Sequence, residues 1–174
     1  MEEKLIVKDS AIKGRGVFAS KNMKKGETVC FMAGKEISIE QVKEGYENQD
    51  VKENYPLQVG EETYISMNHP YDYINHSCDA NCAIIEKNKL VAVKNIEKGE
   101  EITYDYSLTE WTNDELWGDE YEDSWTMECK CKCGAKNCRG IIGEFDKLPE
   151  KMQKEKVNAG VVQDFIMRKY KFAL

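Results

Sequence analysis

The sequence predicts a protein made mostly of short β-strands, with a C-terminal segment fastened by a metal ion. Two observations lead to this prediction. Between residues 4 and 106, short runs of β-branched, aromatic and other apolar residues are separated by Gly, Asn and Asp turn residues. Further along, three cysteines stand in a C-x-C-x4-C spacing at Cys131, Cys133 and Cys138, which is typical of a metal site.

Length and composition limit the class of protein. The 174 residues fit one domain with a hydrophobic core and small appendages. A formal net charge of -7 argues against a general nucleic-acid binder, which would carry a basic stripe. The N-terminus lacks the apolar segment of a signal peptide, and no apolar run approaches the length of a membrane span. Seven cysteines, an odd number with close C-x-C pairs, indicate a reducing compartment and no disulfide framework.

The N-terminal part is predicted to contain two strands on either side of a glycine-rich turn. Residues 4–8 and 27–33 have the composition of strands. Between them, Gly14 and Gly16 lie one residue apart in the run KGRGVFA. Such a pair indicates a tight turn, or a backbone that lies close to another group.

The middle of the chain combines one short helix with a series of strands. Residues 38–49 are predicted to be helical, with Ser38 as N-cap and Gln41 in the second position of a capping box. Strand composition recurs in the runs YPLQVG, ETYIS, NCAIIE and KLVAVKNI, and the Lys-Asn pair at 87–88 predicts a hairpin turn between the last two. After a second turn at 98–101, the run ITYDY predicts another strand.

Two later segments differ in character from the rest. Between Glu110 and Glu128 the chain carries eight carboxylates interleaved with Trp and Tyr, which predicts an acidic insert. This insert either helps to hold a basic substrate or is only a solvated loop. Residues 147–170 have partial helical periodicity with a break near 158–160, and they are expected to form a packing appendage.

The three spaced cysteines need a fourth ligand, because zinc in a closed structural site is bound by four. Cys78, in the run NHSC, is the clear candidate. Cys129 precedes Cys131 by two residues and is an alternative to it. Cys30 and Cys82 are expected to be small core residues.

Four runs occur in a fixed order, namely GRGVFA, NHSCDANC, GEEITYDY and CKCGAKNCRG. In this order the chain resembles the SET-domain protein lysine methyltransferases with a cysteine-rich post-SET segment, over roughly residues 4–145. The run FDKLP after the cysteines resembles small bacterial SET proteins. The resemblance implies a mostly β fold of short curved sheets, in which the ITYDY segment threads the segment around 75–78 as a pseudoknot. A zinc-stapled post-SET segment and a short C-terminal helical appendage complete it.

The same resemblance divides the chain into four segments. They are a SET domain in residues 1–106, the acidic insert in 107–128, a post-SET zinc segment in 129–145 and a C-terminal helical tail in 146–174. The family pattern takes the cysteines nearest to the last one, so the implied ligands of a structural zinc are Cys78, Cys131, Cys133 and Cys138.

The implied methyl donor is S-adenosylmethionine, which would enter from the face opposite the lysine. The residues that match its binding site are Lys13, Gly14, Arg15, Gly16, Asn75, His76 and Tyr106. Outside this context, Arg15 would be a solvated charge and His76 a turn histidine that is satisfied by the backbone.

Three tyrosines match the catalytic site. Tyr106 matches the catalytic tyrosine and Tyr104 a residue that lines the lysine channel. Tyr55 matches a further active-site tyrosine, for which Tyr64 is an alternative. Methyl transfer needs a neutral amine, whereas free lysine has a pKa of about 10.4. A dry aromatic channel lowers that pKa, and tyrosine hydroxyls orient the amine toward the methyl group, so positioning supplies much of the catalysis.

The resemblance therefore implies a protein lysine N-methyltransferase that acts on a basic protein such as a histone tail, without direct nucleic-acid binding and without a membrane. The alternative is a catalytically silent SET module that acts as a zinc-stapled binding protein. The expected location is cytoplasmic or nuclear, or inside a host cell if the source is a bacterial pathogen that exports it.

Overall fold

The computed structural model describes residues 4–47, 56–111 and 129–172. The strands in chain order are β1 (Leu5–Asp9), β2 (Arg15–Ala19), β3 (Thr28–Phe31), β4 (Gly34–Ser38), β5 (Leu57–Gln58), β6 (Thr63–Met67), β7 (Asn75–His76), β8 (Cys82–Ile85), β9 (Lys89–Ala92), β10 (Glu101–Tyr104), β11 (Cys129–Lys130) and β12 (Ile141–Ile142). The helices are α1 (Ile39–Glu47), α2 (Glu150–Asn158) and α3 (Asp164–Phe172), and 3₁₀ turns cover Tyr71–Tyr73 and Tyr106–Leu108. The predicted mostly β fold is confirmed. Among the described ranges, none of the helices has both the length and the apolar character that a membrane span requires.

The largest sheet has the strand order β1-β2-β10-β8-β9-β3, with β7 paired to β10 away from this path. Tyr104 of β10 is in register with His76 of β7 and with Cys82 of β8, both in parallel. A residue in a sheet has one partner on each edge, so β7 and β8 lie on opposite edges of β10. The chain that joins β7 to β8 thus passes around β10, as the threading in the expected fold requires.

A second, three-stranded sheet has the order β4-β6-β5, and α1 follows β4 directly. The predicted capping box at the start of α1 is present. The Ser38 backbone N–H donates to Gln41 Oε1 at 3.1 Å, and the Gln41 N–H donates to Ser38 Oγ at 3.4 Å. Two backbone donors that the first helical turn leaves free are thereby satisfied. The hairpin between β8 and β9 also has its turn at the predicted place, with Glu86 at a φ of 56°.

Two separate hydrophobic cores hold the described parts together. The first is formed by the strands of the large sheet and by residues of the smaller one, and it includes Tyr104 and Cys82. Cys30 packs against this core, so the two cysteines have the expected core positions. The second core joins the C-terminal helices to two segments before them, through Leu108, Phe145, Leu148, Val162, Phe165, Ile166 and Tyr170. The break between α2 and α3 occurs at 159–163, where Gly160 has a φ of 66°.

Candidate active site and thiol cluster

The candidate site is organised around β7, a strand of two residues. Asn75 and His76 pair in parallel with Thr103 and Tyr104 of β10. Because successive side chains of a strand point to opposite faces, the Asn75 and His76 side chains extend in opposite directions. Asn75 is half-buried and His76 is buried. One short strand thus supplies a functional side chain to each of two different environments.

On its side, the Asn75 amide ties together the glycine-rich loop and the start of β10. Asn75 Nδ2 donates to the carbonyl oxygens of Lys13 at 3.3 Å and Arg15 at 2.9 Å, and to Glu101 Oε1 at 2.8 Å. These acceptors use the whole donor capacity of the amide nitrogen. The Asn75 side chain therefore holds the loop in place, while the exposed Lys13 and Arg15 face solvent.

The Glu101 carboxylate explains one of the two loop glycines. Ser10 Oγ donates to Glu101 Oε1 at 2.8 Å, and a Cβ atom at Gly16 would lie 2.3 Å from that same oxygen. A side chain at Gly16 would therefore displace this carboxylate, which Asn75 and Ser10 hold in place. Gly14 differs, because it has a φ of 50° and open space where a Cβ would be, so its requirement is one of backbone conformation.

On the opposite side, His76 connects a catalytic candidate to a cysteine. The Tyr106 backbone N–H donates to His76 Nδ1 at 3.2 Å, and His76 Nε2 lies 3.3 Å from Cys78 Sγ. Burial lowers the pKa of His76 to about 4, against the opposing effect of the Asp105 charge. The imidazole is thus neutral at neutral pH. Since Nδ1 accepts a hydrogen bond, the ring proton is on Nε2 and points to the sulfur of Cys78.

Tyr104 and Tyr106 lie side by side at the end of β10. Their ring centroids are 4.7 Å apart, and the Tyr106 hydroxyl donates to the Ile74 carbonyl oxygen at 2.7 Å. Burial, together with the neighbouring Tyr106 and Glu110, raises the pKa of Tyr104 well above its usual value of 10.0. The Tyr104 hydroxyl therefore stays protonated and can act as a hydrogen-bond donor.

The thiol cluster lies beside His76. The ligand atoms of His76, Cys78, Cys131 and Cys133 all lie within 4.8 Å of one another, with 3.8 Å between the sulfurs of Cys78 and Cys131. The Cys138 thiol interacts with those of Cys131 and Cys133. Three of the four expected cysteines therefore lie in this group, Cys138 contacts two of them, and the structure adds an imidazole that spacing alone did not indicate.

The pKa values of these thiols bear on whether the cluster suits a metal ion. Burial raises the pKa of Cys78 and, more strongly, that of Cys131. For Cys133, burial is outweighed by hydrogen bonds from the backbone N–H groups of Cys78 and Ala135, which help to lower its pKa to about 6. Cysteine binds a metal ion as the thiolate, so a bound ion would displace the protons of Cys78 and Cys131, and soft sulfur ligands suit zinc. The cluster can therefore hold a metal ion.

A buried ion pair next to the cluster was not indicated by the sequence motifs. Arg139 Nη1 donates to Asp105 Oδ2 at 2.7 Å and Nη2 to Asp105 Oδ1 at 2.6 Å, which makes a bidentate pair. Nη2 also donates to Ser107 Oγ at 2.9 Å. The sequence did offer a signal, since Arg139 directly follows Cys138 and Asp105 directly precedes Tyr106.

The C-terminal helices reach the same region. Gln163, which is fully buried, donates from its backbone N–H to the Leu108 carbonyl oxygen at 3.2 Å, and its Nε2 donates to the Lys87 carbonyl oxygen at 2.7 Å. Lys169 lies over the Trp111 ring, 5.4 Å from its centroid. The expected packing appendage therefore packs directly behind the 3₁₀ turn that begins at Tyr106.

Several of the expected site residues fall outside the part of the chain that the structure describes. Tyr55 and residues 112–128 of the acidic insert are outside the described residues, and so is the side chain of Cys129. Tyr64, the alternative to Tyr55, is buried in β6 with 2% of its surface exposed.

Comparison with known proteins gives a consistent result. The SET domain family matches residues 14–107, which is more than half of the chain. Relatives include histone-lysine N-methyltransferase mes-4 of Caenorhabditis elegans, 27% identical over 83% of this chain and 17% of its own length. Histone-lysine N-methyltransferase ASHR3 of Arabidopsis thaliana is 26% identical over 85% of this chain and 30% of its own. The human histone-lysine N-methyltransferase 2B is 31% identical over 76% of this chain and 5% of its own.

The chain thus spans less than a third of the length of these relatives. Among solved structures, ctPRC2 in an autoinhibited conformation bound to S-adenosylmethionine matches with a TM-score of 0.57 at 22% identity, over 70% of this chain and 17% of that one. The Chaetomium thermophilum Polycomb Repressive Complex 2 bound to GSK126 matches with a TM-score of 0.54 at 25% identity, over 63% and 16%. These structures share the fold.

Proposed function

The chain belongs to the SET-domain family, and from this premise we propose that it is a protein-lysine N-methyltransferase that uses S-adenosylmethionine. The observation that carries the proposal is the meeting of Asn75, His76, Tyr104 and Tyr106 where β7 pairs with β10. A protein that only binds a partner has no need of a buried and a half-buried tyrosine packed ring to ring at this strand pairing. The histone-lysine N-methyltransferases among its relatives support the same reaction.

The donor is proposed to bind against the glycine-rich loop and β7, through Lys13, Gly14, Arg15, Gly16, Asn75, His76 and Tyr106. When bound, S-adenosylmethionine supplies an electrophilic methyl group. The residues present suit this ligand, because the exposed backbone at Lys13–Arg15 is held by the Asn75 amide, and Gly14 lets the loop turn without a side chain. The role of the chain here is to hold that loop in a fixed position before the donor arrives.

At the other end of the site, Tyr104 and Tyr106 are proposed to receive the lysine, with Tyr55 as a third tyrosine. A buried aromatic environment disfavours the ammonium form and makes the neutral amine available. The Tyr106 hydroxyl donates its proton to the Ile74 carbonyl, so its oxygen is oriented and can accept a hydrogen bond from the amine. Orientation of this kind contributes by positioning and requires no general base.

Zinc is proposed to be held by Cys78, Cys131, Cys133 and Cys138. His76 is close enough to compete, but its Nε2 carries the ring proton because Nδ1 accepts the Tyr106 N–H. A protonated nitrogen cannot ligate a metal ion, so His76 instead donates to the Cys78 sulfur. Hydrogen bonds to metal ligands orient them and tune the site. The zinc is structural and takes no part in methyl transfer.

The proposed substrate is a lysine in a basic protein, such as a histone tail. Its support is the net charge of -7 and the carboxylates between Glu110 and Glu128. The segments 1–106, 107–128, 129–145 and 146–174 are proposed as functional divisions. In packing they are not independent, because the second core joins Leu108, Phe145 and the helical tail.

The test is a methyl-transfer assay. The purified chain is incubated with isotopically labelled S-adenosylmethionine and a panel of basic proteins that includes histones, and the modified lysine is located by mass spectrometry. We expect labelled lysine with the unmodified chain and at most a trace with Tyr106→Phe. If the donor raises the melting temperature but no protein in the panel is labelled, the chain is a binding module and the proposal is wrong.

A further inference from the structure

A closed ring of contacts links the thiol cluster to the backbone of Tyr106. Cys78 Sγ faces His76 Nε2, and His76 Nδ1 accepts the N–H of Tyr106. Asp105, the residue before Tyr106, accepts two hydrogen bonds from the Arg139 guanidinium. The Arg139 backbone N–H donates to Cys78 Sγ at 3.4 Å, which closes the ring. Every member is a residue of the site or its direct neighbour in sequence.

The Asp105 carboxylate has two further contacts that fix the turn beginning at Tyr106. Its Oδ1 accepts the Ser107 backbone N–H at 3.2 Å and so caps the 3₁₀ turn, and it lies 3.5 Å from His76 Nδ1. Only 2% of the Asp105 side chain and 14% of the Arg139 side chain are exposed. A buried, bidentate, charge-assisted pair has a single preferred geometry. A shift of the Arg139 guanidinium should therefore move the Asp105 carboxylate with it, which a mobile surface pair would not do.

We propose that the Arg139–Asp105 pair is a positioning device that places Tyr106 for methyl transfer and makes that placement depend on the zinc-bound segment. Arg139 follows the ligand Cys138, so ordering of the cysteine segment sets the position of the guanidinium. The guanidinium sets Asp105, and Asp105 sets the turn that carries Tyr106. Neither residue is among those proposed to bind the donor or the lysine. This inference rests on the proposed methyl transfer for its kinetic part only, because the structural part is measurable without turnover.

The experiment uses Arg139→Lys, which keeps the charge but removes the planar fork that matches a carboxylate. We expect one zinc per chain as in the unmodified protein, and an unchanged affinity for S-adenosylmethionine by calorimetry. The single-turnover rate should fall by about 10²-fold, because displacement of a reacting group by about 1 Å has an effect of that size. The lysine-substrate KM should stay within a factor of about two, since Tyr106 is only one of the proposed lysine contacts and a misplaced amine affects the transition state more than ground-state binding.

Hydrogen exchange gives a readout that does not depend on activity. In Arg139→Lys, the Tyr106 and Ser107 amides should exchange at least tenfold faster, while amides of β1 and β2 are unaffected. The matched control is Lys94→Gln, which removes an exposed ion pair with Asp79, next to Cys78 in sequence. It should leave the rate and both amides unchanged.

The outcomes separate cleanly. A wild-type rate and wild-type exchange in Arg139→Lys overturn the positioning role, and so does loss of zinc in that variant, which would make Arg139 a structural part of the metal segment. If the unmodified chain transfers no methyl group, the proposed function fails. Even then, faster amide exchange at Tyr106 and Ser107 with zinc retained would support the role of the Arg139–Asp105 pair in positioning this turn. Unchanged exchange would refute that role.

Discussion

Asn75 and His76 are neighbours in the chain, yet their side chains contact different parts of the protein. The Asn75 amide binds Lys13, Arg15 and Glu101, all within the large sheet or the loop that enters it. The His76 ring binds Cys78 and Tyr106, and through them it depends on the C-terminal cysteine segment. The surroundings of Asn75, where the donor is proposed to bind, are therefore built by the large sheet and its loop, whereas those of the His76 ring, on the side of the proposed catalytic tyrosines, are completed only when the C-terminal segment is in place.

This difference indicates that donor affinity and the methyl-transfer rate should depend on different parts of the fold. A change on the Asn75 side should alter donor affinity first, and a change on the His76 side should alter the rate first. Metal removal should act on the rate first, because the thiols gather around the His76 ring.

The largest effect is expected from Cys131→Ser. Structural zinc contributes about 10 kcal/mol or more to the folding of small zinc peptides, so the cysteine segment should not stay ordered without it. We expect loss of zinc by metal analysis and loss of hydrogen-exchange protection over 129–142, with protection of β1 and β2 retained. Cys30→Ala and Cys129→Ser are the controls, and both should keep the metal. Zinc retained by Cys131→Ser but lost from Cys129→Ser would show that the ligand assignment is wrong.

The second largest effect is expected from loss of the Tyr106 hydroxyl, and it should fall mainly on the methyl-transfer rate. Tyr106→Phe should lower the methyl-transfer rate by about 10²-fold, because the amine loses the hydroxyl that orients it and misplacement by about 1 Å has an effect of that size. The stability cost should be small, about 1 kcal/mol for the lost hydrogen bond to the Ile74 carbonyl. Single-turnover kinetics and calorimetric titration with the donor make the measurement. A variant that no longer binds the donor would move Tyr106 from the catalytic side to the binding side.

On the Asn75 side, Gly16→Ala should weaken donor binding. The added Cβ would lie 2.3 Å from Glu101 Oε1, so the carboxylate must leave Asn75 or the strand must move. Overpacking of this kind costs about 1–3 kcal/mol. Gly143→Ala is the control, because a Cβ there meets nothing within 4 Å. Thermal unfolding and donor affinity are measured for both variants, and equal behaviour of the two would contradict the tight fit at Gly16.

The smallest effect is expected where the two sides meet, at Tyr104. We expect the unmodified chain to stop at mono- or dimethyl-lysine, because a water molecule bound to the Tyr104 hydroxyl would occupy the space beside the amine that a further methyl group needs. Such a water costs only about 0–2 kcal/mol to hold, so Tyr104→Phe should add one methylation state with little change in rate. The mass distribution on a saturated peptide is the test. Abundant trimethyl-lysine from the unmodified enzyme would refute this account.

Local pattern predicted several elements because the causes are local. The capping box of Ser38 and Gln41 needs only residues three apart, and the break between α2 and α3 follows from Gly160 and its neighbours. The cysteine spacing likewise restricted the metal site, since Cys131 and Cys133 are two residues apart and cannot be separated in space. Such features depend on a few neighbouring residues, so they can be predicted from the sequence.

The sequence by itself thus determined the strand-rich class, the capping box of α1 and the thiol-rich segment, and its ordered motifs indicated the family. Tertiary structure alone decided that Glu101 fills the space beside Gly16, and that Arg139 pairs with Asp105 across 34 positions. It also decided that the helical tail packs behind Tyr106 through Leu108. The physical reason is that these contacts join residues distant in the chain, and such pairs become neighbours only when β7, β8 and β10 have assembled.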